Sequence, residues 1–375
     1  MAITEKYVTA TAVGGGNGMS LASPLTLSEA IAAANGGTET GSRFNVQEGT
    51  YNRASTDTIS AGGSATSPTV FRGFKLLIGD GHQGYTSNGS ALVTTHMPLI
   101  IMASGTLISI TGNWIVFESI NIQGNRPGTI LTLATDSEVK SCVVTNSNTN
   151  AATAGMQINT RCKAIDCDAT LTGASGGLAC FTTSTGTLGV VFQGCRAHTT
   201  STTAAGFATS SAGSPHFINC LAYKCGVGIV INNSNVAFAG VILGCTLVGN
   251  ASDGIRAPAL TGLAWIANNL ITDNGGYGIT GSTSPAALHN NRFRDNTSGA
   301  ISIGADWATA TSYGHVTTDA GGPETDYVDY ANDDYRLVAS SPAVGAGLPA
   351  PTSIGCFQRS AASGSGRLIG GGLII

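Results

Sequence analysis

The sequence has little charge: 17 Lys or Arg and 21 Asp or Glu make up 10% of its 375 residues. The basic residues are scattered from Lys6 to Arg367 with no patch, which argues against nucleic acid as the main partner, since phosphate binding needs cations gathered on one face. No apolar run approaches the roughly 18 residues of a membrane-spanning helix. The first residues, MAITEKYVTATAVGGGNG, lack the charged and apolar regions of an export signal, so no secretory signal and no membrane association are expected. Aromatic residues are 6% of the chain, and Trp114, Trp265 and Trp307 lie far apart, so no row of stacking rings for a sugar chain is evident. Disorder is excluded as well, because 42% of the chain is hydrophobic and the net charge is only -4.

What is abundant is glycine, at 52 residues, together with nine cysteines. The cysteines do not read as a disulfide framework, which belongs to short secreted chains. They mark an internal repeat. Aligning VFESINIQGN, VILGCTLVGN, WIANNLITDN and ALHNNRFRDN sets Ile120, Cys142, Cys167, Cys195, Cys220, Cys245, Asn269 and Asn291 at equivalent positions, in steps of 22, 25, 28, 25, 25, 24 and 22 residues. A second ladder follows about ten residues later through Phe207, Ile229, Ile255, Ile279 and Ile301.

Two ladders in phase, joined by Gly, Ser, Thr and Asn turns, give at least two short strands per repeat and leave no stretch for a helix. That excludes alternating strand and helix units. A period near 24 predicts an all-β, right-handed parallel β-helix, a solenoid in which each repeat is one coil stacked on the last. With strands about 4.8 Å apart, the eight aligned coils would span roughly 35 to 40 Å. In such a stack Cys142, Cys167, Cys195, Cys220 and Cys245 form one buried column of small hydrophobic side chains. Only Cys162 with Cys167, or Cys220 with Cys225, come near metal-ligand spacing. No metal and no cofactor are expected.

The sequence divides into residues 1–50 (a cap with a helix over residues 25–34 and the first strand), 51–318 (the solenoid), 319–358 (a closing segment) and 359–375 (a Gly/Ser-rich arm with an apolar tip). The helix is read from the spacing of Leu25, Leu27, Ala30, Ile31 and Ala34, and from the stop at Asn35-Gly36-Gly37. Its physical task is to cover the open apolar end of the first coil. LTLSEAIAAANGG followed by FNVQEGTYN resembles the N-terminal cap and first coil of the pectate-lyase-like superfamily, and NDDYRLVASSPAVGAG (332 to 347) with SIGCFQ (353 to 358) resembles its closing segment. The resemblance implies the fold and leaves activity open, because that superfamily holds lyases, hydrolases, epimerases and non-catalytic phage proteins.

Two of the aligned columns carry carboxylates. Asp168 stacks under Arg196 one position after the cysteine column, which reads as an exposed ion pair of small energy. Four positions after that column, Lys224, Gly249, Asp273 and Asp295 follow one another. Asp273 and Asp295 are therefore the candidate catalytic pair, although both sit before Asn in turns where Asp commonly caps backbone. Paired aspartates with Gly-His-Gly and Arg-Ile-Lys, as in polygalacturonases of that superfamily, are absent, and the six histidines occupy different columns. Tyr327, Tyr330 and Tyr335 with Asp326, Asp329, Asp333 and Asp334 form an acidic and aromatic cluster, read as a turn-rich cap or a glycan or partner contact. The apolar tip, Leu368, Ile369, Leu373, Ile374 and Ile375, reads as an assembly arm.

Together these features lead to the expectation of a non-catalytic structural component of a bacteriophage particle, a capsid decoration or tail or head appendage. It would reside in the virion, form a homo-oligomer, and contact other virion proteins and a surface glycan. The alternatives are a carbohydrate-active enzyme, a polysaccharide lyase or glycoside hydrolase, and a passive glycan-binding module.

Overall fold

The sequence supplies apolar runs of three to six residues separated by turns, and the turn residues decide where the chain bends. The computed structural model describes residues 4–37, 41–87, 89–150, 153–173, 178–184, 188–209, 214–231, 240–257, 264–281, 286–303, 326–348 and 352–357. Three parallel sheets run the length of the molecule, here called A, B and C, with eleven, ten and ten strands. One coil passes through Val241–Leu243 in sheet A, Thr246–Val248 in sheet B and Ile255–Ala257 in sheet C. Two further coils precede the first aligned one, starting at strands Arg43–Gln47 and Thr69–Phe74.

Both sequence ladders are vertical columns. Phe207, Ile229, Ile255, Ile279 and Ile301 are register partners in sheet C. In sheet B the residues after the cysteines pair in succession, Val143, Asp168, Arg196, Leu221, Thr246, Leu270 and Arg292. Between sheets A and B the chain turns on one left-handed residue per coil: Ser119, Ser141, Asp166, Gly194, Asn219, Gly244, Asn268 and Asn290 all have φ of 48 to 63°. Asn, Asp and Gly tolerate that region best, because a Cβ otherwise crowds the following carbonyl.

The residue after that bend points inward, and its side chain must satisfy backbone as well as fill space. Cys167, Cys195, Cys220 and Cys245 direct their Sγ at the carbonyls of Val139, Ala164, Phe192 and Phe217, at 3.4, 3.2, 3.4 and 3.6 Å. In the next coils Asn269 and Asn291 donate to Ile242 O and Ile266 O at 3.0 and 2.8 Å. These carbonyls form one register column. Cys and Asn are therefore two answers to the same backbone demand, and the buried cysteines are free thiols. Burial raises the thiol pKa of Cys142, Cys167, Cys195 and Cys220 well above its ordinary value, as desolvation disfavours the thiolate.

The single α-helix among the described residues, α1, spans Leu27–Asn35. Thr26 caps it, accepting from Glu29 N at 3.1 Å while Glu29 Oε2 accepts from Thr26 N at 2.8 Å. The helix thus starts two residues later than Leu25, whose backbone bridges instead to Val8. Leu27, Ala30 and Ala34 close the core end. Ahead of it, Glu5–Val8 adds a parallel strand to the edge of sheet A. Inside, phenylalanines stack from coil to coil, Phe44 on Phe71 at 4.8 Å and Phe192 on Phe217 at 5.2 Å.

Two segments leave the coil path. Residues 75–97 loop out between Thr69–Phe74 and Leu99–Met102. The C-terminal segment forms an antiparallel pair, Tyr327–Asp329 with Asp334–Leu337, around a 3-10 turn at Tyr330–Asn332. This segment packs sideways on the outer face of sheet B, where Tyr327, Tyr335, Leu337, Ile354, Cys356 and Phe357 bury Leu221, Tyr223, Val248 and Leu270. The acidic and aromatic cluster is therefore a flank cover running back over earlier coils. The arm residues Leu368, Ile369, Leu373, Ile374 and Ile375 lie outside the described residues.

Candidate functional site

Sheet B carries most of the candidate chemistry on its outer face, because its strands bring outward side chains of successive coils into vertical register. Asp168 and Arg196 are neighbours there, as the spacing indicates. Their expected exposure is corrected: they are 5% and 3% exposed, buried by the loop 75–97. Asp168 Oδ2 accepts from Leu92 N. Arg196 Nε donates to Gly89 O at 2.6 Å, and the guanidinium lies over the Tyr85 ring, 3.3 Å from its centroid. Tyr85 in turn donates its hydroxyl to Asp166 Oδ1 at 3.0 Å. Burial pushes the Asp168 carboxyl up to about 6, against the opposing pull of Arg196 and the Leu92 N–H. These two charges fasten the loop to the rod.

Asp273 and Asp295 also fall where the columns place them, on adjacent coils, since Thr272 pairs with Arg294. Both occupy left-handed turn positions, φ 54 and 50°, as do Lys224 and Gly249 before them. Asp273 Oδ2 accepts the Tyr330 hydroxyl from the C-terminal segment, whereas Asp295 is exposed. The remaining acids of the cluster hold that segment in place. Asp333 pairs with Lys224 at 2.7 Å and accepts from Tyr335 at 2.7 Å. Asp326, fully buried, receives Arg294 at 2.9 Å, Arg292 at 3.4 Å and Ser341 at 2.6 Å. Asp334 takes Arg336 in a two-point contact.

The buried Arg292, Arg294 and Asp326 group was not anticipated from sequence. Its signal is the pair of arginines at alternate positions of one strand, outward-facing beside coils whose outward residues are Leu270 and Thr272. Such a group needs a buried acid to meet it. A second missed constellation lies on sheet C, where Asp253 accepts from Arg256 Nε at 2.8 Å, Tyr277 N at 2.9 Å and Thr280 Oγ1 at 3.1 Å. Here the arginine side chain is 41% exposed and the carboxylate 8%.

Where the loop and the C-terminal segment meet, they leave a groove of about 440 Å³ lined by Thr86, Ser87, Ser90, Asp329, Asn332, Asp334 and Arg336. Among the described residues no three His, Cys, Asp or Glu side chains gather in a way that would hold a metal ion. His198 stacks on Tyr223 at 4.7 Å with its pKa lowered by burial.

Comparison with solved structures decides the fold class. A pectate lyase crystal structure superposes over 96% of this chain and 98% of its own, with a TM-score of 0.50 at 15% identity. A rhamnogalacturonan lyase does so over 88% of this chain and 91% of its own, with a TM-score of 0.57 at 12% identity. The fold is a right-handed parallel β-helix, as in these two lyases. At these identities the likeness is one of fold. No protein-family model and no curated protein sequence matches the chain.

Proposed function

We propose that this β-helix is a non-catalytic structural protein, a building block of a bacteriophage particle such as a capsid decoration or a tail or head appendage. One observation carries the non-catalytic part: apart from the exposed Asp295, the acids on sheet B and on the segment that covers it hold the chain's own parts together. Asp168 holds the loop at Leu92, Asp273 holds Tyr330, Asp326 holds Arg292, Arg294 and Ser341, and Asp333 holds Lys224 and Tyr335. A general acid or base must reach a substrate proton with its own lone pairs, and these carboxylates are engaged elsewhere.

The assembly part draws support from sheet A. Its outer face presents Val191, Ile218, Val241 and Leu243 half-buried and Trp265 56% exposed, in successive coils. A face of this kind suits contact with copies of the chain or with other virion proteins. The apolar residues Leu368, Ile369, Leu373, Ile374 and Ile375 would serve as a further assembly arm, tested by deleting residues 359–375 and measuring mass in solution by light scattering.

A second reading, a polysaccharide lyase, is favoured by the overall likeness to two lyases and by the half-exposed Arg256 on sheet C. Asp273 and Asp295 are the carboxylates it would recruit. The test is incubation with acidic and neutral polysaccharides, following unsaturated products by ultraviolet absorbance and new reducing ends. The structural reading expects neither. Cleavage that disappears in Asp273→Asn with Asp295→Asn, or in Arg256→Ala, would establish the lyase or hydrolase instead.

A further inference from the structure

The outer face of sheet A has two halves of different chemistry. Each strand sets two residues outward at alternate positions, and the pairing register stacks them in two columns. Toward the N-terminal end the columns carry charges of both signs. Arg72 pairs with Glu118 at 3.0 Å and Lys140 with Glu138 at 2.9 Å, and Lys163 follows in the next coil. Toward the C-terminal end the columns turn apolar, through half-buried Ile165, Ile218, Val241 and Leu243 to Trp265. Sheet B, by contrast, has its outer face covered by the loop 75–97 and the C-terminal segment.

We infer, resting on the reading of sheet A as an assembly face, that its occupant is a second copy of this chain, packed face to face with the two rods parallel about a two-fold axis that runs along them. Every coil then meets the same coil of the other copy, and the axis exchanges the two columns. The first outward residue of a strand therefore faces the second outward residue of that strand in the other copy. Glu138 of one copy meets Lys140 of the other, twice by symmetry, while Val241 meets Leu243 and Trp265 meets Ala267. The strand Glu138–Lys140 is the one strand of this sheet whose two outward residues are both charged, and their signs are opposite. No like charges are opposed, so the face is complementary to itself, as a two-fold contact requires.

A two-fold axis across the rods fits worse. It would lay the apolar half on the charged half unless the copies overlapped by only half their length. Area decides between the two. The eight strands from Ile115–Glu118 to Ala286–His289 form a face about 34 Å long, at about 4.8 Å per coil, and about 15 Å wide across strand and turn residues. Full overlap thus buries about 1,000 Å² from both copies together, the size at which a specific contact begins, whereas half overlap falls in the range of chance packing. An interface of this size gives a dimer that dissociates on dilution.

The experiment is sedimentation velocity of the full chain across a dilution series, for the parent, Glu138→Lys, Lys140→Glu, an equimolar mixture of those two, and Trp265→Asp. We expect a parent dimer, and at least tenfold weaker association for each single charge variant, because like charges are then opposed at two points. The mixture should associate as the parent does, since each variant offers the other the opposite sign at both points. Unfolding midpoints at the parent's value show that each variant folds. The inference is overturned if the parent stays monomeric at high micromolar concentration, or if the mixture associates no better than its components. If Trp265→Asp abolishes association while both charge variants behave as the parent, the parallel two-fold arrangement is wrong and the assembly face stands. If Trp265→Asp leaves the association unchanged, both fall.

Discussion

Replacing Asn269 by alanine and by cysteine separates two accounts of the inner turn column. Asn269 is fully buried. Its Oδ1 accepts from Cys245 N at 2.8 Å, and its Nδ2 donates to Ile242 O at 3.0 Å and to Asn291 Oδ1 at 2.8 Å. Asn269→Ala removes all three bonds and leaves a buried backbone N–H and a buried carbonyl without this partner. At about 1 to 3 kcal/mol for each buried group orphaned, the loss should be about 4 kcal/mol. Asn269→Cys restores the arrangement of the preceding coils, where a thiol meets the equivalent carbonyl, as Cys245 does at Phe217 O. The cost should then fall to about 1 to 2 kcal/mol, since a thiol is a weaker donor than an amide. Urea unfolding followed by circular dichroism measures both. If the cysteine variant is as unstable as the alanine variant, the column fills space only, and its role in satisfying backbone is wrong.

Three further outcomes follow from particular residues. Asp168 has its carboxyl pKa raised from 3.8 to about 6 by burial, so the folded state holds the proton more tightly than the unfolded one. Its contribution is therefore fully present below about pH 4 and is lost as pH rises through about 6, a change of about 3 kcal/mol at 1.36 kcal/mol per pH unit. Unfolding free energies of the parent and Asp168→Asn, compared from pH 4 to 7, should diverge in that direction, and a flat or opposite difference refutes the burial argument. Ser141 sits at φ 48° with no side-chain bond among the described residues; Ser141→Val should destabilise by about 1 to 2 kcal/mol, and Ser141→Gly should be neutral or stabilising, as read from chemical denaturation. Trp265, exposed on sheet A, should matter for association: Trp265→Asp should reduce the solution mass measured by light scattering without lowering the unfolding midpoint, and an unchanged mass removes that face from assembly.

The parts of the fold legible in sequence are those that stacking repeats. Equivalent residues of successive coils share one environment, so Cys142 to Asn291 and Phe207 to Ile301 are visible as ladders, and the register that set Asp168 beside Arg196 is the observed one. Thr26 and Glu29 likewise announce the start of α1 through a local capping box. Sheet A is legible through the same alignment, since its strands Ile115–Glu118, Val241–Leu243, Ala264–Ala267 and Ala286–His289 lie at the start of the four aligned segments.

The flank cover was illegible for a different reason. Nothing local marks where residues 326–357 dock; the clue lies in the partner surface, where outward positions of sheet B become apolar at Leu221, Val248 and Leu270. A strand with both faces apolar is buried on both. Read this way, those coils call for a cover, and the burial of Asp168 and Arg196 is part of the same pattern under loop 75–97. The candidate pair Asp273 and Asp295 was placed correctly in space by the repeat, while the contact of Asp273 with Tyr330 depended on a segment 57 residues away.

The central claim, that Asp168, Asp273, Asp326 and Asp333 serve structure and that the chain performs no chemistry with them or with the exposed Asp295, is tested most directly by exposing the full chain to a broad set of polysaccharides and measuring unsaturated products and reducing ends together. The account predicts that both remain at the level of the protein-free control. Steady product release that is abolished by Asp273→Asn with Asp295→Asn, in a variant that unfolds at the parent's midpoint, would contradict it.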